Sequence, residues 1–310
     1  MVMTTERAEG IMDSAVQKIS ELIPTNPMMA EIVCKQLLRC NPEHPDGLHL
    51  LGLSKHRLGK HVEAIEIIQT AIELYPENVD NYNNIALAYA CIDEFDRAVA
   101  SLKKALELKP GNPLYLNNLA LQYRNLNQHD KAVEITREAL AFEEKPEIWT
   151  NLGGIYGEMR NLDEAEKCYR RAMELDPNYS AAHVDQTHVY FLRGDWENAH
   201  KEHEWRFKYF GQLAYYLEKY DQTKLWDGEA DINGKTFLVY SEQGMGDCIQ
   251  FSRYLPQLKS RGAKVIYHVP KPLRLIMERQ DFVDQVFNAI DEEGIEKPDH
   301  RAHRGKGSAA

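Results

Sequence analysis

Five asparagines recur in register along the middle of this 310-residue sequence. Asn84, Asn118 and Asn151 follow one another at a period of about 34 residues, and these three are called the amide row below. Asn83 and Asn117 directly precede the first two of them. A side-chain amide can both donate and accept hydrogen bonds, so it can pair with a peptide group of another chain. The alternative is that these asparagines are ordinary solvated side chains.

A second set of residues suited to chemistry is the run EQGMGD, which contains Gly244, Gly246 and Asp247. It follows an apolar, β-branched run at 235–241 that predicts a buried strand. Glycines after a strand can form a turn that cradles phosphate, although the third glycine of the GxGxxG fingerprint is absent here. The alternative is a tight strand-to-helix turn in which Asp247 caps the helix.

Histidines cluster between residues 183 and 203, and His200 and His203 would share one helix face. A specific metal site needs three or four ligands, and no known motif completes this pair. We therefore predict no metal site, and we expect these histidines to be solvated or packed.

The five cysteines form no CxxC pair, and an odd number does not suit a disulfide framework. Cys91 and Cys168 fall at helix positions that predict packing, and the others are Cys34, Cys40 and Cys248. We interpret all five as free, buried thiols of a reducing cytoplasm.

An internal repeat predicts the elements that position these residues. Blocks begin at Pro45, Val79, Pro113 and Pro146, again at a period of about 34 residues, and a weaker fifth block begins at Ser180. Each block predicts two amphipathic helices joined by a polar turn. Small residues recur where the helices would approach closely, and they are Gly52, Ala86, Ala120, Gly153, Ala64, Ala98, Ala132, Ala165, Ala71, Ala105, Ala139 and Ala172.

Prolines predict where three of the second helices end, because proline cannot continue a helix. They are Pro76, Pro110 and Pro177. The third block has Glu144 at this place and is one residue shorter. The turn that follows its second helix, called its exit, is therefore predicted to differ from those of the other blocks.

The period and pattern resemble the tetratricopeptide-repeat (TPR) family. The resemblance implies a right-handed α-solenoid over 45–208, preceded by an N-terminal cap and partial repeat at 1–44. In this family the first helices line a concave groove. In the TPR region of O-linked GlcNAc transferases, groove asparagines hold the backbone of an extended substrate, and the amide row matches their position. The resemblance thus implies peptide contacts by all five asparagines, to which we add Arg124 on the helix of Asn118.

The pattern changes after a linker predicted at 209–232. Strand, helix and strand signals follow over 233–290 in the order of a parallel βαβ unit. The run 291–310 has no helix or strand pattern and predicts a disordered tail. The predicted fold class is therefore mainly α: a TPR solenoid followed by a small, incomplete α/β (Rossmann-like) module.

This junction resembles bacterial TPR proteins that carry a glycosyltransferase-like domain. The matching residues are Trp226, Gly228, Glu229, Glu242, Gln243, Gly244, Gly246, Asp247, Ile249, Gln250, Phe251, Arg253, Tyr254, Leu255 and Pro256. The resemblance implies the first part of a GT-B fold, in which Asp247 matches a candidate base for the acceptor hydroxyl in heptosyltransferases. The second Rossmann domain of that fold does not follow, so we expect a truncated module. Arg253 and Tyr254 are either site residues or residues that pack their helix onto the sheet, and we expect packing.

Composition excludes further classes of protein. The net charge of −11 argues against nucleic-acid binding, which needs a basic face. No apolar run approaches the roughly 20 residues that span a bilayer, and the N-terminus lacks the apolar segment of a secretory signal. We predict a cytoplasmic TPR scaffold that binds a protein or extended peptide and, as this chain, is non-catalytic and has no cofactor. Two alternatives stay open: a protein glycosyltransferase that uses a nucleotide sugar such as a UDP-sugar, and a structural TPR protein that self-associates.

Overall fold

A computed structural model describes residues 5–209, 226, 228–241, 244–287 and 300–302. The chain divides into two compact units, Met1–Val189 and Tyr190–Ala310. This division falls inside the predicted fifth repeat, earlier than the solenoid end expected at 208. Most of the predicted linker at 209–232 lies outside the described residues.

The first unit is a succession of helices. They are α1 (Thr5–Leu22), α2 (Pro27–Cys40), α3 (Pro45–Arg57), α4 (His61–Leu74), α5 (Val79–Ala90), α6 (Phe95–Leu108), α7 (Pro113–Asn125), α8 (His129–Phe142), α9 (Pro146–Glu158), α10 (Leu162–Leu175) and the start of α11 (Ser180–Arg193). The helices α3, α5, α7 and α9 begin at the four predicted block starts, so the predicted helical repeat is confirmed. Among the described residues, every helix is too short or too polar to cross a bilayer.

Small side chains let each first helix lie against the second helix of its repeat. A Cβ on Gly52 would collide with the side chain of Ile68, and one on Gly153 would come within 2.6 Å of Tyr169. Interiors are close-packed, so a larger residue at either place would push the paired helix away. The alanines of the second helices are fully buried, and they are Ala64, Ala71, Ala98, Ala105, Ala132, Ala139, Ala165 and Ala172.

The turn between the two helices of a repeat has one residue in the left-handed region. Gly59 occupies this place in the first repeat, with a φ of 73°. In the next three repeats the same position is held by Asp93, Asn127 and Arg160, with φ values of 60°, 57° and 61°. Left-handed backbone is costly for a side chain other than glycine, so arginine is the least suited of these residues.

The exit of the third repeat differs from the others, as the sequence predicted. Before α7, the side chain of Asn112 accepts hydrogen bonds from the backbone N–H groups of Leu114 and Tyr115 and so caps the helix. Before α9, Lys145 gives no side-chain cap, and residues 143–145 form no turn.

A buried ion pair replaces apolar packing at the start of the solenoid. Lys55 stands at the repeat position held by Tyr89 and Tyr156 in later repeats, and it is only 5% exposed. Its Nζ lies 2.8 Å from Glu31 on α2 and 2.5 Å from Glu63 on α4. Burial alone would lower the pKa of Lys55, but the hydrogen bonds to both carboxylates raise it overall. The pair fixes α2 to the first complete repeat.

The carboxylate of Glu31 is the centre of this cluster. It accepts hydrogen bonds from Lys35 at 2.6 Å and, more distantly, from Lys60 at 3.4 Å. The bonds from Lys35 and Lys55 lower the pKa of Glu31 from its ordinary value of 4.5 to about 2, although burial opposes them. Glu31 is therefore ionised throughout the physiological pH range.

The prediction of five buried thiols is partly wrong. Cys34, Cys168 and Cys248 are buried, and burial raises the pKa of Cys34 to about 11 and that of Cys168 to about 12. Cys40 and Cys91 are exposed. Both lie at helix ends, where the last turn leaves the packed face of the repeat.

The second unit contains α12 (Trp196–His203), α13 (Arg206–Tyr209) and a four-stranded parallel sheet. The strands are β1 (Thr236–Tyr240), β2 (Lys264–His268), β3 (Gln285–Phe287) and β4 (His300–Ala302), in the order β3-β2-β1-β4. Helices α14 (Met245–Ser252) and α15 (Leu255–Ser260) connect β1 to β2, and α16 (Arg274–Met277) precedes β3. The predicted parallel pairing of the first two strands is present, and Phe237 pairs with Val265.

Two expectations for this unit are wrong. The run 291–310 was predicted to lack strands, yet His300–Ala302 pairs in parallel with β1. Arg253 and Tyr254 do not pack onto the sheet: both are exposed, and the guanidinium carbon of Arg253 lies 5.2 Å from the Tyr254 ring centroid. They follow the end of α14, where the chain turns before α15 and leaves the buried face.

Candidate peptide-binding groove

The amide row is held in place by hydrogen bonds between successive repeats. Asn118 on α7 donates from Nδ2 to Oδ1 of Asn83 on α5, at 2.8 Å. Asn151 on α9 makes the same bond to Asn117 on α7, at 2.9 Å. The two asparagines of each neighbouring pair therefore have different roles: one accepts a bond from the next repeat, and the other donates to the previous repeat.

At the junction between the first and second repeats, a histidine stands where the later repeats have the accepting asparagine. His49 occupies the position of Asn83 one repeat earlier, and its Nε2 is 3.5 Å from Nδ2 of Asn84. Its Nδ1 is 2.8 Å from Oδ1 of Asn81, a residue that is only 1% exposed. The tautomer that donates from Nδ1 and accepts at Nε2 satisfies both contacts. In the described part of the chain, Nδ2 of Asn81 has no hydrogen-bond partner.

These bonds orient the amide row but leave some of its hydrogen-bond donors and acceptors unpaired. Asn83, Asn117 and Asn118 are 7%, 9% and 8% exposed, whereas Asn84 and Asn151 are half-buried. Asn83 and Asn117 act as acceptors inside the stack. Among the described residues, no hydrogen bond reaches Oδ1 of Asn84, Asn118 or Asn151. Each of these oxygens can accept from a peptide N–H, and each amide keeps a second N–H to donate.

A row of leucines runs beside the amide row. Leu53, Leu87 and Leu121 are half-buried and stand at the same position of three successive repeats. Leu87 and Leu121 each follow a member of the amide row by three residues, so they share its helix face. We call the three the leucine row. This row was not predicted from the sequence, although its regular spacing was a readable signal.

An ion pair replaces the fourth leucine. Gly154 occupies the leucine position on α9, and a Cβ there would lie 3.1 Å from Nη1 of Arg124. Arg124 donates from Nε and Nη2 to Oε1 of Glu158, at 2.8 and 2.6 Å. The hydrogen bond to Glu158 raises the pKa of Arg124. The guanidinium predicted to contact a peptide is thus already paired within the stack, beside Gly154.

The predicted glycine turn lies between β1 and α14 in the second unit, and its residues 242 and 243 lie outside the described residues. Gly244 is the N-cap of α14, and Asp247 lies in the first turn of this helix. Gly244 and Gly246 are exposed, and a Cβ on either would meet no atom within 4 Å, so packing does not require glycine there.

Other residues of the glycosyltransferase-like motif pack within the second unit. The Trp226 ring meets Phe237 edge-on, with centroids 5.4 Å apart, and its Nε1 donates to the Ala230 carbonyl. Cys248, which lies between the matching residues Asp247 and Ile249, belongs to the core on the α14 side of the sheet. Ile249 is half exposed.

The histidines of the weak fifth block have local partners. His200 Nδ1 lies 2.6 Å from the carbonyl oxygen of Trp196, and His183 Nε2 lies 3.1 Å from that of Pro177. Both rings are thus held by backbone carbonyls close to them in sequence. Over the described residues, the group of metal-ligating side chains that does come together is a different one, formed by His56, His61 and Cys91.

A cavity of about 750 Å³ lies between α8, α9 and α10. Trp149 lines it, and in the described structure the Nε1 of this indole has no hydrogen-bond partner. Arg171 borders the cavity and donates to Glu144 at 2.7 Å. The short exit of the third repeat, which contains Glu144, forms one side of this opening.

Comparisons with known protein families match the repeat region of the chain. Residues 45–78, 79–112, 101–134 and 146–179 match family profiles described as tetratricopeptide repeat. The chain therefore contains tetratricopeptide repeats, as its period predicted.

Among curated proteins, Protein bimA of Emericella nidulans is 33% identical over 54 residues. The match covers 17% of this chain and 7% of the relative. The chain thus spans only a small part of that protein, and the matched length corresponds to about one and a half repeats.

Solved structures show the same fold. A thermophilic TPR protein in Thermus thermophilus is 24% identical, with a TM-score of 0.53, over 58% of this chain and 99% of that one. Pseudomonas aeruginosa pilF is 14% identical, with a TM-score of 0.55, over 68% of this chain and 99% of that one. At these identities the likeness concerns the fold alone.

Proposed function

We propose that this chain is a TPR scaffold that binds an extended peptide along the amide row and the leucine row. The observation that supports this proposal is the side-by-side arrangement of the two rows on the first helices. Free amide oxygens suit the peptide groups of an extended segment, and half-buried leucines suit its apolar side chains. The pattern predicts recognition of backbone shape and apolar side chains more than of charge.

The charge of the chain adds a preference. A net charge of −11 attracts basic partners over a distance of about a Debye length, roughly 8 Å at physiological salt. Because Arg124 is paired with Glu158, its guanidinium is not free to hold an acidic C-terminus. We therefore propose an extended, apolar and basic peptide as the partner.

Selection from a random peptide library, followed by calorimetric titration, tests this proposal. A variant with Asn84→Ala, Asn118→Ala and Asn151→Ala should bind selected peptides at least tenfold more weakly, and Leu121→Ala should weaken them several-fold. Val62→Ala is the control, because Val62 is 60% exposed on a second helix. Unchanged affinity in a folded triple variant would overturn the proposal.

A further variant separates peptide contact from stacking. Asn83→Ala with Asn117→Ala removes the acceptors between repeats and leaves the amide row intact. If the acceptors only position the row, thermal stability falls while peptide affinity changes little. If they contact the peptide, as the sequence analysis predicted, the affinity of the folded variant falls as well.

We also propose that the second unit binds a nucleotide sugar at the turn containing Gly244, Gly246 and Asp247. It is supported by the parallel order of β1 and β2 and by the exposed glycines at the N-terminus of α14. Calorimetric titration with UDP-sugars and free UDP tests it, with Asp247→Ala as the variant for glycosyl transfer. No heat of binding from a folded sample would remove the enzyme alternative.

Two further proposals concern the cellular location of the chain and its self-association. Among the described residues the cysteines form no disulfide, which supports a reducing compartment such as the cytoplasm. Cell fractionation tests this. Light scattering at several concentrations tests self-association, which a concentration-independent monomer would exclude.

A further inference from the structure

Two histidines face each other across the turn of the first repeat. His56 is the penultimate residue of α3, and His61 is the first residue of α4. Their Nδ1 atoms are 3.3 Å apart, and their ring centroids are 5.1 Å apart. In the part of the chain that the structure describes, neither ring makes a side-chain hydrogen bond to any other group.

The stacking of repeats brings a thiol to the same place. Cys91 is the C-cap of α5 and occupies the position of Arg57, the last residue of α3, one repeat later. The helix ends of successive repeats lie side by side, so Cys91 joins a histidine pair that is distant in sequence. The ligand atoms of the three residues all lie within 4.8 Å of one another, and no other described residues form such a group.

We propose that His56, His61 and Cys91 bind a zinc ion. Zinc prefers imidazole and thiolate ligands in a tetrahedral arrangement, with Zn–N of about 2.0–2.1 Å and Zn–S of about 2.3 Å. At a tetrahedral angle, two such nitrogens are about 3.3 Å apart. The Nδ1 atoms already have this separation. Cys91 completes the set when its exposed side chain brings the sulfur to about 3.5 Å from each nitrogen, the separation of bound nitrogen and sulfur ligands.

Binding replaces the thiol proton of Cys91 with the Zn–S bond and releases that proton to solvent. Three protein ligands leave the fourth position for water. The ion would join the turn of the first repeat to the end of the first helix in the second repeat. Its effect is therefore to stabilise the junction at which His49 and Asn84 also meet.

A hydrogen bond between two neutral imidazoles is the competing explanation of the short distance between the two Nδ1 atoms. It requires no metal, and it assigns no role to Cys91. The two explanations differ in whether the sulfur becomes a ligand, and this can be read from a spectrum.

Cobalt(II) titration of the chelator-treated full chain tests the proposal, because cobalt(II) occupies zinc sites and reports its ligands by absorption. The wild type should bind one equivalent and show a thiolate-to-cobalt charge-transfer band. Cys91→Ser should lose this band and bind zinc at least tenfold more weakly in competition with a chromogenic chelator. Cys40→Ser, which removes the other exposed thiol, is the matched control and should behave like the wild type.

Thermal unfolding with and without zinc gives an independent measurement. Zinc should raise the midpoint for the wild type and for Cys40→Ser, and much less for His61→Asn or Cys91→Ser, since binding to the folded state alone stabilises it. Circular dichroism before titration shows that each variant is folded. A charge-transfer band that survives in Cys91→Ser, or a folded wild type that binds no stoichiometric cobalt, overturns the proposal.

Discussion

Asn118 donates a hydrogen bond from its side-chain amide to the side-chain oxygen of Asn83, one repeat earlier, at 2.8 Å. The two residues are 8% and 7% exposed, so the bond is buried. The same bond joins Asn151 to Asn117, and a histidine replaces the acceptor at the first junction. A row of amides that first suggests ligand binding therefore also holds the repeats in register.

Removing both members of this pair should cost less stability than the two single removals added together. Asn118→Ala leaves Oδ1 of Asn83 buried without a partner, which costs about 1–3 kcal/mol. The double variant Asn83→Ala, Asn118→Ala removes this penalty, so its loss should be smaller than the sum of the single losses. Urea unfolding followed by circular dichroism measures both. Additive losses would show that the bond contributes nothing.

Neighbouring glycines on α9 should respond in opposite ways to the same substitution. Gly153→Ala places a Cβ 2.6 Å from Tyr169, a buried ring that cannot move away, and should cost about 1–3 kcal/mol. Gly154→Ala meets only the end of the Arg124 side chain at 3.1 Å and gains helix propensity of up to about 1 kcal/mol. Thermal unfolding of the two variants compares them directly. Equal destabilisation would contradict this difference in packing.

The inter-helix turns offer a stabilising substitution. Arg160 is exposed and has a φ of 61°, whereas the equivalent Gly59 has a φ of 73°. Arg160→Gly should raise the free energy of unfolding by about 0.5–1 kcal/mol, because it removes left-handed strain from a residue with a Cβ. Gly59→Ala is the reverse control: its Cβ meets nothing within 4 Å, so a loss of about 1 kcal/mol would come from the backbone alone. A destabilised Arg160→Gly variant would show that the arginine side chain has a contact that outweighs the strain.

Acid should weaken the start of the solenoid through Glu31. Its pKa is about 2 in the folded chain and near 4.5 when unpaired, so ionised Glu31 stabilises the fold above about pH 5. This stability is lost as the pH falls from about 5 towards 2, because the unfolded chain takes up the proton first. We expect a contribution of about 1–2 kcal/mol, less than the pKa shift alone implies, because Lys35 and Lys60 are half exposed and screened by solvent.

Urea unfolding of Glu31→Gln between pH 3 and pH 7 checks this prediction. The variant should be less stable than the wild type at pH 7, and the difference should shrink as the pH falls. Glu138→Gln, an exposed carboxylate on α8, is the control and should leave the pH profile unchanged. A constant difference between Glu31→Gln and the wild type at all pH values would remove the charge-based explanation.

The repeat itself could be predicted from the sequence, because its signals are local. The spacing of Ala64, Ala98 and Ala132 and the block starts at Pro45 and Val79 depend on helix periodicity and on which residues fit between two neighbouring helices. The strand at 235–241 could also be predicted, since a short β-branched run bounded by turn residues is typical of a strand. The short strand at His300–Ala302 was not, because so short a run carries too little pattern and gains its structure only by pairing with β1.

The sequence by itself determined the repeat period, the helix pairs and the position of the amide row, and the spacing of the leucine row was readable in it as well. The tertiary structure alone decided which polar groups meet: that Asn118 bonds to Asn83, that Arg124 lies over Gly154 beside Glu158, and that Cys91 approaches His56 and His61. The physical reason is that a period fixes which residues lie on which face of a helix. Contacts between repeats depend instead on how far one helix pair is displaced and rotated against the next, and that follows from the packing of the whole stack.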